Sequence, residues 1–538
     1  MHGVLKAYHI ISGHGGGDLG NGDVMDGWTT ARAVKGIERR LHHVTTCISL
    51  PMVDSDDEAN SDEDDFKIGV GSGEDSISHS SASSDDGLCV NTQSNDNKNP
   101  INGSYELLRT FQNDDIKDKP ENVRKHLPPG SGPHSVGCLD IMEDNCEEGT
   151  FFRIFYPTEK TDIFSRDTQW PLWLPRKQYG HGYAKFLRCN PRKLAGKFFN
   201  WLGGDVYIPV LWQAPVLAGD RKFPLVVFSH GLGGNRTAYS TYCTELASQG
   251  FVVAALEHKD GSASMTYHLK DNMRGSVVET DHHGRDSTSR HGKSSMPRSH
   301  SCKEEWQSFE HVDNMGINWD DYHYRNRQLM HRAGECSRVL DMLTSINAGQ
   351  SVRNFLGFHF NLKQFKGRLD LDRASVIGHS FGATTVAAAL AEDTRFRLGI
   401  MLDAWMHPAN QELCEKITQP VLLMQFEKFQ WEENARQLLW LKSEKAERRF
   451  ITLRGACHQA VSDFQFLVNK YFGKFMDVRC EMSPKLNMEL IRRGTFAFLV
   501  KHLDLDNLVV DDDVLCAREE HVAEGVLWGR AVPPVPPS

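Results

Sequence analysis

Between Ala374 and Asp393 the chain reads ASVIGHSFGATTVAAALAED, a β-branched apolar run that passes into an alanine-rich stretch across one serine set between two glycines. The pentapeptide Gly378-His379-Ser380-Phe381-Gly382 fits a strand-to-helix turn so sharp that the serine hydroxyl is lifted clear of the sheet. Glycines belong at both flanks, because side chains there would collide with the neighbouring strand and helix. Such a turn demands a strand before it, a helix after it and a sheet to sit on, which makes it the strongest constraint in the chain.

The surrounding pattern supplies that sheet. GTFFRIFYP (Gly149–Pro157) alternates apolar and polar residues, with Pro157 as its expected stop. FPLVVFSHG (Phe223–Gly231) and FVVAALEH (Phe251–His258) are short apolar runs suited to buried parallel strands, separated by AYSTYCTELASQG (Ala238–Gly250), which reads as a helix ended by Gly250. A long helical pattern (Arg325–Asn347) precedes ASVIGHS, and FRLGIMLDAW (Phe396–Trp405), QPVLLMQFE (Gln419–Glu427) and RRFITL (Arg448–Leu453) follow as further strands. Strands alternating with helices predict a mostly parallel sheet covered on both faces, the α/β-hydrolase arrangement.

The 538 residues exceed one ordinary domain, and hydrophobic content is only 39%, so polar residues are concentrated somewhere. Residues 1–126 carry DSDDEANSDEDD (Asp54–Asp65) and SISHSSASSDDG (Ser76–Gly87) and lack apolar periodicity. Such a segment buries too little to offset its ordering entropy and is expected to be disordered. Ser55 and Ser61 precede acidic residues in a context that acid-directed kinases favour, although a plain solvated tail has the same composition. The glycines of Gly13–Gly22 lack the Gly-Lys-Ser/Thr ending of a phosphate loop. The α/β domain is expected at 127–510, with a low-complexity insert at about 276–303 and a tail at 511–538.

A net charge of −10 argues against nucleic acid as a partner. No apolar run is long enough to span a membrane, and the N-terminus makes a poor secretory signal. Twelve cysteines without C-x-x-C pairs read as reduced thiols. The expectation is a cytoplasmic protein, with peripheral attachment to a lipid surface as its membrane option.

A serine hydroxyl is a weak nucleophile until a base takes its proton, and the base needs an acid to orient it. In this fold both follow the serine. His458, on a glycine-containing loop after RRFITL, is better placed than His407 or His502. Two carboxylates end strands, Asp403 and Glu427, and order along the chain permits either. The amide of Phe381, next after the serine, is one expected oxyanion donor, and the glycine-rich SHGLGGNR (Ser229–Arg236) is the expected source of the second.

Together these residues resemble the platelet-activating factor acetylhydrolase family, the single-chain group with plasma lipoprotein-associated and intracellular members. The resemblance runs from LPPGSGPHSVGCLDIM (Leu127–Met142) through WLPRKQYGHGYAKFL, FPLVVFSHGLGGNRTAYS, DRASVIGHSFGATTV, RFRLGIMLDAWMHP and RGACHQAVSDF to GTFAFLVKHLDL (Gly494–Leu505), about 380 residues. It implies Asp403 as the acid, with Glu427 as runner-up, and the amide of Leu232 as the second oxyanion donor. It also implies Ca²⁺-independent hydrolysis of acetyl, short or oxidised sn-2 chains on phospholipids, with neither metal nor organic cofactor. A general carboxylesterase or lipase, or a catalytically silent lipid-binding protein, would share the fold. Ala383 stands where the family usually has a second glycine, a change that helix packing should tolerate. NPRKLAGKFFNWLGG (Asn190–Gly204) places Leu194, Phe198, Trp201 and Leu202 on one helical stripe, a pattern shared by lipid-contacting and core helices.

Overall fold

The computed structural model describes residues 124–143, 149–165, 168–270, 303–311, 319–357, 360–475, 478–505 and 510–526. The acidic stretch with Ser55 and Ser61, the glycines of Gly13–Gly22 and most of the low-complexity insert lie outside them.

Twelve strands are present among the described residues: β1 (Ser135–Met142), β2 (Phe151–Thr158), β3 (Leu211–Trp212), β4 (Phe223–Ser229), β5 (Val252–Leu256), β6 (Met265–Lys270), β7 (Lys303–Ser308), β8 (Leu369–His379), β9 (Leu398–Leu402), β10 (Val421–Phe426), β11 (Arg448–Leu453) and β12 (Val522–Glu524). The helices that matter for the site are α1 (Lys177–Phe186), α2 (Arg192–Gly203), α3 (Ser240–Ser248), α4 (Trp319–Asn347), α5 (Phe381–Glu392) and α6 (Pro484–His502). Ten strands form one sheet in the order β12-β11-β10-β9-β8-β4-β5-β2-β1-β3, and β6 and β7 form a separate hairpin. From β5 through β4, β8, β9 and β10 to β11 every pairing is parallel, whereas β2 runs antiparallel to both β1 and β5.

The period of two along each strand divides the core. On β4, Val226 and Phe228 enter one apolar layer and Leu225 and Val227 the other; on β9, Ile400 and Leu402 face the first and Met401 the second. Tyr242 and Leu246 of α3 and Leu490, Phe498 and Leu499 of α6 cover the first face, while Leu329, Val339 and Leu343 of α4 and Val386 and Leu390 of α5 cover the second. A strand buried on both faces must be apolar throughout, so β4 and β5 read as continuous runs. Each fully buried Val, Leu or Phe contributes about 1.5–3 kcal/mol relative to exposure.

Two sequence expectations are corrected. Pro157 does not stop β2: it pairs opposite Val136 within the strand, beyond the stretch where β2 meets β5, so its missing N–H breaks no ladder on that side. The polar positions of β2 are buried as well. Arg153 is buried, donating from Nε and Nη2 to Asp140 at 2.6 and 3.0 Å, while Asp140 also takes Arg236 Nη2 at 2.9 Å. Paired this way, the two guanidinium groups hold the Asp140 carboxyl well below the ordinary range against the opposing effect of burial. Finally, the described fold extends past both ends of 127–510: His126 bridges Tyr207, Val514 and Leu515 enter the core, and β12 adds antiparallel to β11.

Candidate active site

β8 enters the turn and α5 leaves it, with Ser380 between them at φ 59° and ψ −118°. A non-glycine residue rarely takes this conformation, and it persists only where the surroundings enforce it. The flanking glycines provide the room. A Cβ on Gly378 would lie 2.2 Å from Gly382 O, and one on Gly382 would lie 2.0 Å from Ser229 O of β4. Ala383, by contrast, packs into the apolar layer without exposure.

Two loops bring partners to the serine. Asp403 follows β9 with φ 50° and is fully buried; His458 lies on the loop after β11. His458 Nδ1 lies 2.7 Å from Asp403 Oδ2, and His458 Nε2 lies 2.9 Å from Ser380 Oγ. A carboxylate can only accept, so Nδ1 carries the proton and Nε2 faces the hydroxyl as an acceptor. The other Asp403 oxygen, Oδ1, accepts from Phe426 N–H at 2.8 Å. Burial pushes the Asp403 carboxyl well above its ordinary range, and the Phe426 N–H acts against that. Glu427 is elsewhere: its Oε2 accepts from Gly455 N–H at 2.6 Å, bracing the histidine loop without reaching the imidazole.

The histidine is held on several sides. Phe429 stacks on its ring at 3.6 Å between centroids and 22° between planes, while His379 lies 4.5 Å away. Asp463, five residues further on, accepts from Ser240 N–H, Thr241 N–H and Trp173 Nε1–H at 2.7, 2.9 and 3.1 Å, anchoring the loop to the start of α3. His379, Asp403 and His458 bring donor atoms within 4.8 Å of one another, a set that could hold a metal ion by composition. The ring nitrogens are already committed, however: those of His458 to Asp403 and Ser380, those of His379 to Tyr239 OH and the His458 carbonyl.

The glycine loop after β4 runs against the turn, and a Cβ on Gly231 would lie 3.0 Å from Ser380 Cβ. Gly231 N–H donates to Tyr239 OH, Gly233 N–H to Ser262 O and Gly234 N–H to Gly231 O. Among the described residues, the N–H groups of Leu232 and Phe381 donate to no protein acceptor. Arg332 of α4 fastens the loop from below, donating to His230 O at 2.8 Å, Ser262 Oγ at 2.8 Å and Asp260 Oδ2 at 3.1 Å. His258 adds a second brace, with its N–H on His230 Nε2 at 3.2 Å, Nε2 at 2.7 Å from Ser229 Oγ and Nδ1 at 2.5 Å from Glu335 Oε2. Sequence reasoning passed over Tyr239, His379, Arg332 and Phe429, which carry no local signature because their partners are remote in the chain.

The residues expected on the lipid-contact stripe divide. On α2, Leu194 and Trp201 are 50% and 75% exposed. Phe198 is half-buried beside Trp201, their rings 5.9 Å apart, whereas Leu202 packs with Phe199 against the core. Leu202 therefore leaves the exposed stripe, since it lies on the side of α2 that turns toward Phe199.

The sheet order, the strained serine turn and the Ser380-His458-Asp403 hydrogen-bond chain define an α/β-hydrolase with the side-chain arrangement of a serine hydrolase. A profile of the family described as platelet-activating factor acetylhydrolase, isoform II, matches residues 120–521. The chain is 37% identical to a platelet-activating factor acetylhydrolase of Canis lupus familiaris over 382 residues, 71% of this chain and 78% of that one. It is likewise 37% identical to one of Bos taurus over 395 residues, 73% and 81% of the two chains. A putative phospholipase A2 of Schizosaccharomyces pombe is 26% identical over 448 residues, covering 72% of this chain and 95% of that one. The chain belongs to the platelet-activating factor acetylhydrolase family.

Proposed function

We propose that the protein is a serine esterase that removes acetyl, short or oxidised acyl groups from the sn-2 position of platelet-activating factor and related phospholipids, without calcium. The observation that carries this reading is the unbroken hydrogen-bond chain from Ser380 through His458 to Asp403. Family membership supports the substrate class.

In this mechanism Ser380 Oγ attacks the ester carbonyl as His458 Nε2 takes its proton, and Asp403 holds the imidazole tautomer and stabilises the imidazolium. The N–H groups of Leu232 and Phe381, which donate to no protein acceptor among the described residues, stabilise the developing oxyanion, each worth ~3–4 kcal/mol of barrier. His458 returns the proton to the leaving lysophospholipid hydroxyl. It then deprotonates a water that cleaves the acyl-serine and regenerates the hydroxyl. Nucleophile, base and oxyanion donors all come from the chain itself.

Rates on phospholipids matched in headgroup and sn-1 chain but graded in sn-2 length test the reading. Acetyl and short dicarboxylic chains are expected to turn over at least tenfold faster than palmitoyl or oleoyl, with chelator present. Equal rates across the series, together with rapid cleavage of simple esters, would instead identify a general carboxylesterase.

The same reading places α2 at the lipid surface, with Leu194, Trp201 and part of Phe198 entering the interface and Arg192, Lys193 and Lys197 exposed around them. Burial of a large apolar side chain is worth about 2–3 kcal/mol at most, and each 1.4 kcal/mol is a factor of ten in affinity. Leu194→Ser with Trp201→Ser is therefore expected to weaken vesicle binding about tenfold or more, with Tm and soluble-ester turnover unchanged. Cosedimentation and a thermal melt check this; an early melt would mean that the stripe supports the fold. No described helix is long and apolar enough to cross a membrane.

A further inference from the structure

Three hydrogen bonds join the loops that the reaction needs. Gly231 N–H donates to Tyr239 OH at 3.2 Å, Tyr239 OH lies 2.8 Å from His379 Nδ1, and His379 Nε2 lies 2.8 Å from the His458 carbonyl oxygen. Gly231 belongs to the glycine loop, His379 precedes the nucleophile, and His458 is the base. All of these residues, including Tyr239, are buried.

The directions of the bonds are determined. A carbonyl oxygen only accepts, so His379 carries its proton on Nε2. Burial depresses the His379 pKa to about 3, so the ring is neutral at working pH and Nδ1 is an acceptor. Tyr239 must then donate to Nδ1, and its oxygen is left to accept from Gly231 N–H. Burial likewise pushes the Tyr239 phenol up, so it keeps its proton. One tautomer satisfies every group, and polarised chains of this kind reinforce each link.

We propose that Tyr239 and His379 are positioning residues for hydrolysis, a bridge that fixes the glycine loop and the histidine loop against the nucleophile turn in one geometry. This rests on the proposed esterase mechanism, since it concerns the same nucleophile, base and oxyanion donors. The Gly231–Leu232 peptide plane carries the Leu232 N–H, and Gly231 O already accepts from Gly234 N–H at 3.0 Å and lies 2.8 Å from His230 Nδ1. Tyr239 secures the preceding peptide, so the bridge completes the fixing of that amide. At its other end, the bond to the His458 carbonyl sets where the imidazole stands relative to Ser380. Displacements of about 1 Å in such constellations cost on the order of 10²-fold in rate.

Tyr239→Phe removes the central hydroxyl with almost no change of shape. His379→Asn keeps an oxygen near the Nδ1 position and loses the donor to His458; His379→Gln keeps a donor near Nε2 and loses the acceptor. Steady-state kinetics on a soluble short-chain ester, with a thermal melt of each variant, separate positioning from stability. The proposal expects Tyr239→Phe to lower kcat 10- to 100-fold with KM within twofold, and both His379 variants to fall in kcat while remaining folded. It also expects Tyr239→Phe combined with His379→Gln to be no slower than the slower single variant, because each breaks the same bridge. Folded variants with kcat within twofold of the parent, or a lower Tm with unchanged kcat, overturn it. A parent protein that cleaves no ester, or a fully active Ser380→Ala variant, overturns the esterase reading instead.

Discussion

Ser380→Ala is expected to lower kcat for ester hydrolysis by roughly 10⁵–10⁶-fold, the scale seen when a serine nucleophile is removed from a working triad. No acyl-enzyme can form without Oγ, and a water placed near His458 would recover only the rate that the oxyanion donors supply. The fold should survive. Among the described residues the Ser380 hydroxyl contributes one hydrogen bond, to His458, while the turn is shaped by Gly378, Gly382 and the bond from Ser380 N–H to Leu402 O. Alanine keeps that backbone bond, although the positive φ of 59° remains strained for it as for serine. Kinetics beside a thermal melt checks this: a few-fold loss would mean that the attacking group lies elsewhere.

Asp403→Asn should cost about 10⁴-fold in kcat, whereas Glu427→Gln should cost only a few-fold. An asparagine at 403 can present its amide nitrogen to His458 Nδ1. That favours the tautomer with the proton on Nε2, where it cannot accept from Ser380. It also removes the negative charge that stabilises the imidazolium. Glu427 makes a different contact, accepting from Gly455 N–H on the histidine loop, and a glutamine carbonyl can accept the same bond. Parallel kcat measurements on the two variants check the ranking, and its reversal would move the acid to the end of β10.

The turn at Ser380 was readable from sequence because it is local. Its glycines are required by atoms within four residues and by one neighbouring strand, and the apolar runs on either side report burial on both faces. The acid was less readable. Asp403 and Glu427 both end strands, and what separates them is the left-handed backbone at Asp403, φ 50°, which no neighbouring residue type announces. Resemblance to the family, not spacing, distinguished them. The bridge from Tyr239 to His379 spans 140 positions and was invisible for that reason. On α2 the helical period identified a stripe but not its edge, since Leu202 and Phe199 fall where the apolar and exposed sides meet. Three-residue β12 is too short to show any period, so the edge of the sheet beyond residue 510 could only emerge from its pairing with β11.

In this mechanism the attacking atom is Ser380 Oγ. A fluorophosphonate reacts with a serine oxygen only where a base and oxyanion donors activate it, and the phosphonyl adduct can be located by peptide mass spectrometry. Labelling of the full-length protein is predicted to give one adduct per chain, on Ser380, with phospholipid hydrolysis lost in proportion and no adduct in Ser380→Ala. An adduct on another residue that tracks the loss of activity, or hydrolysis that persists after Ser380 is fully modified, would contradict it.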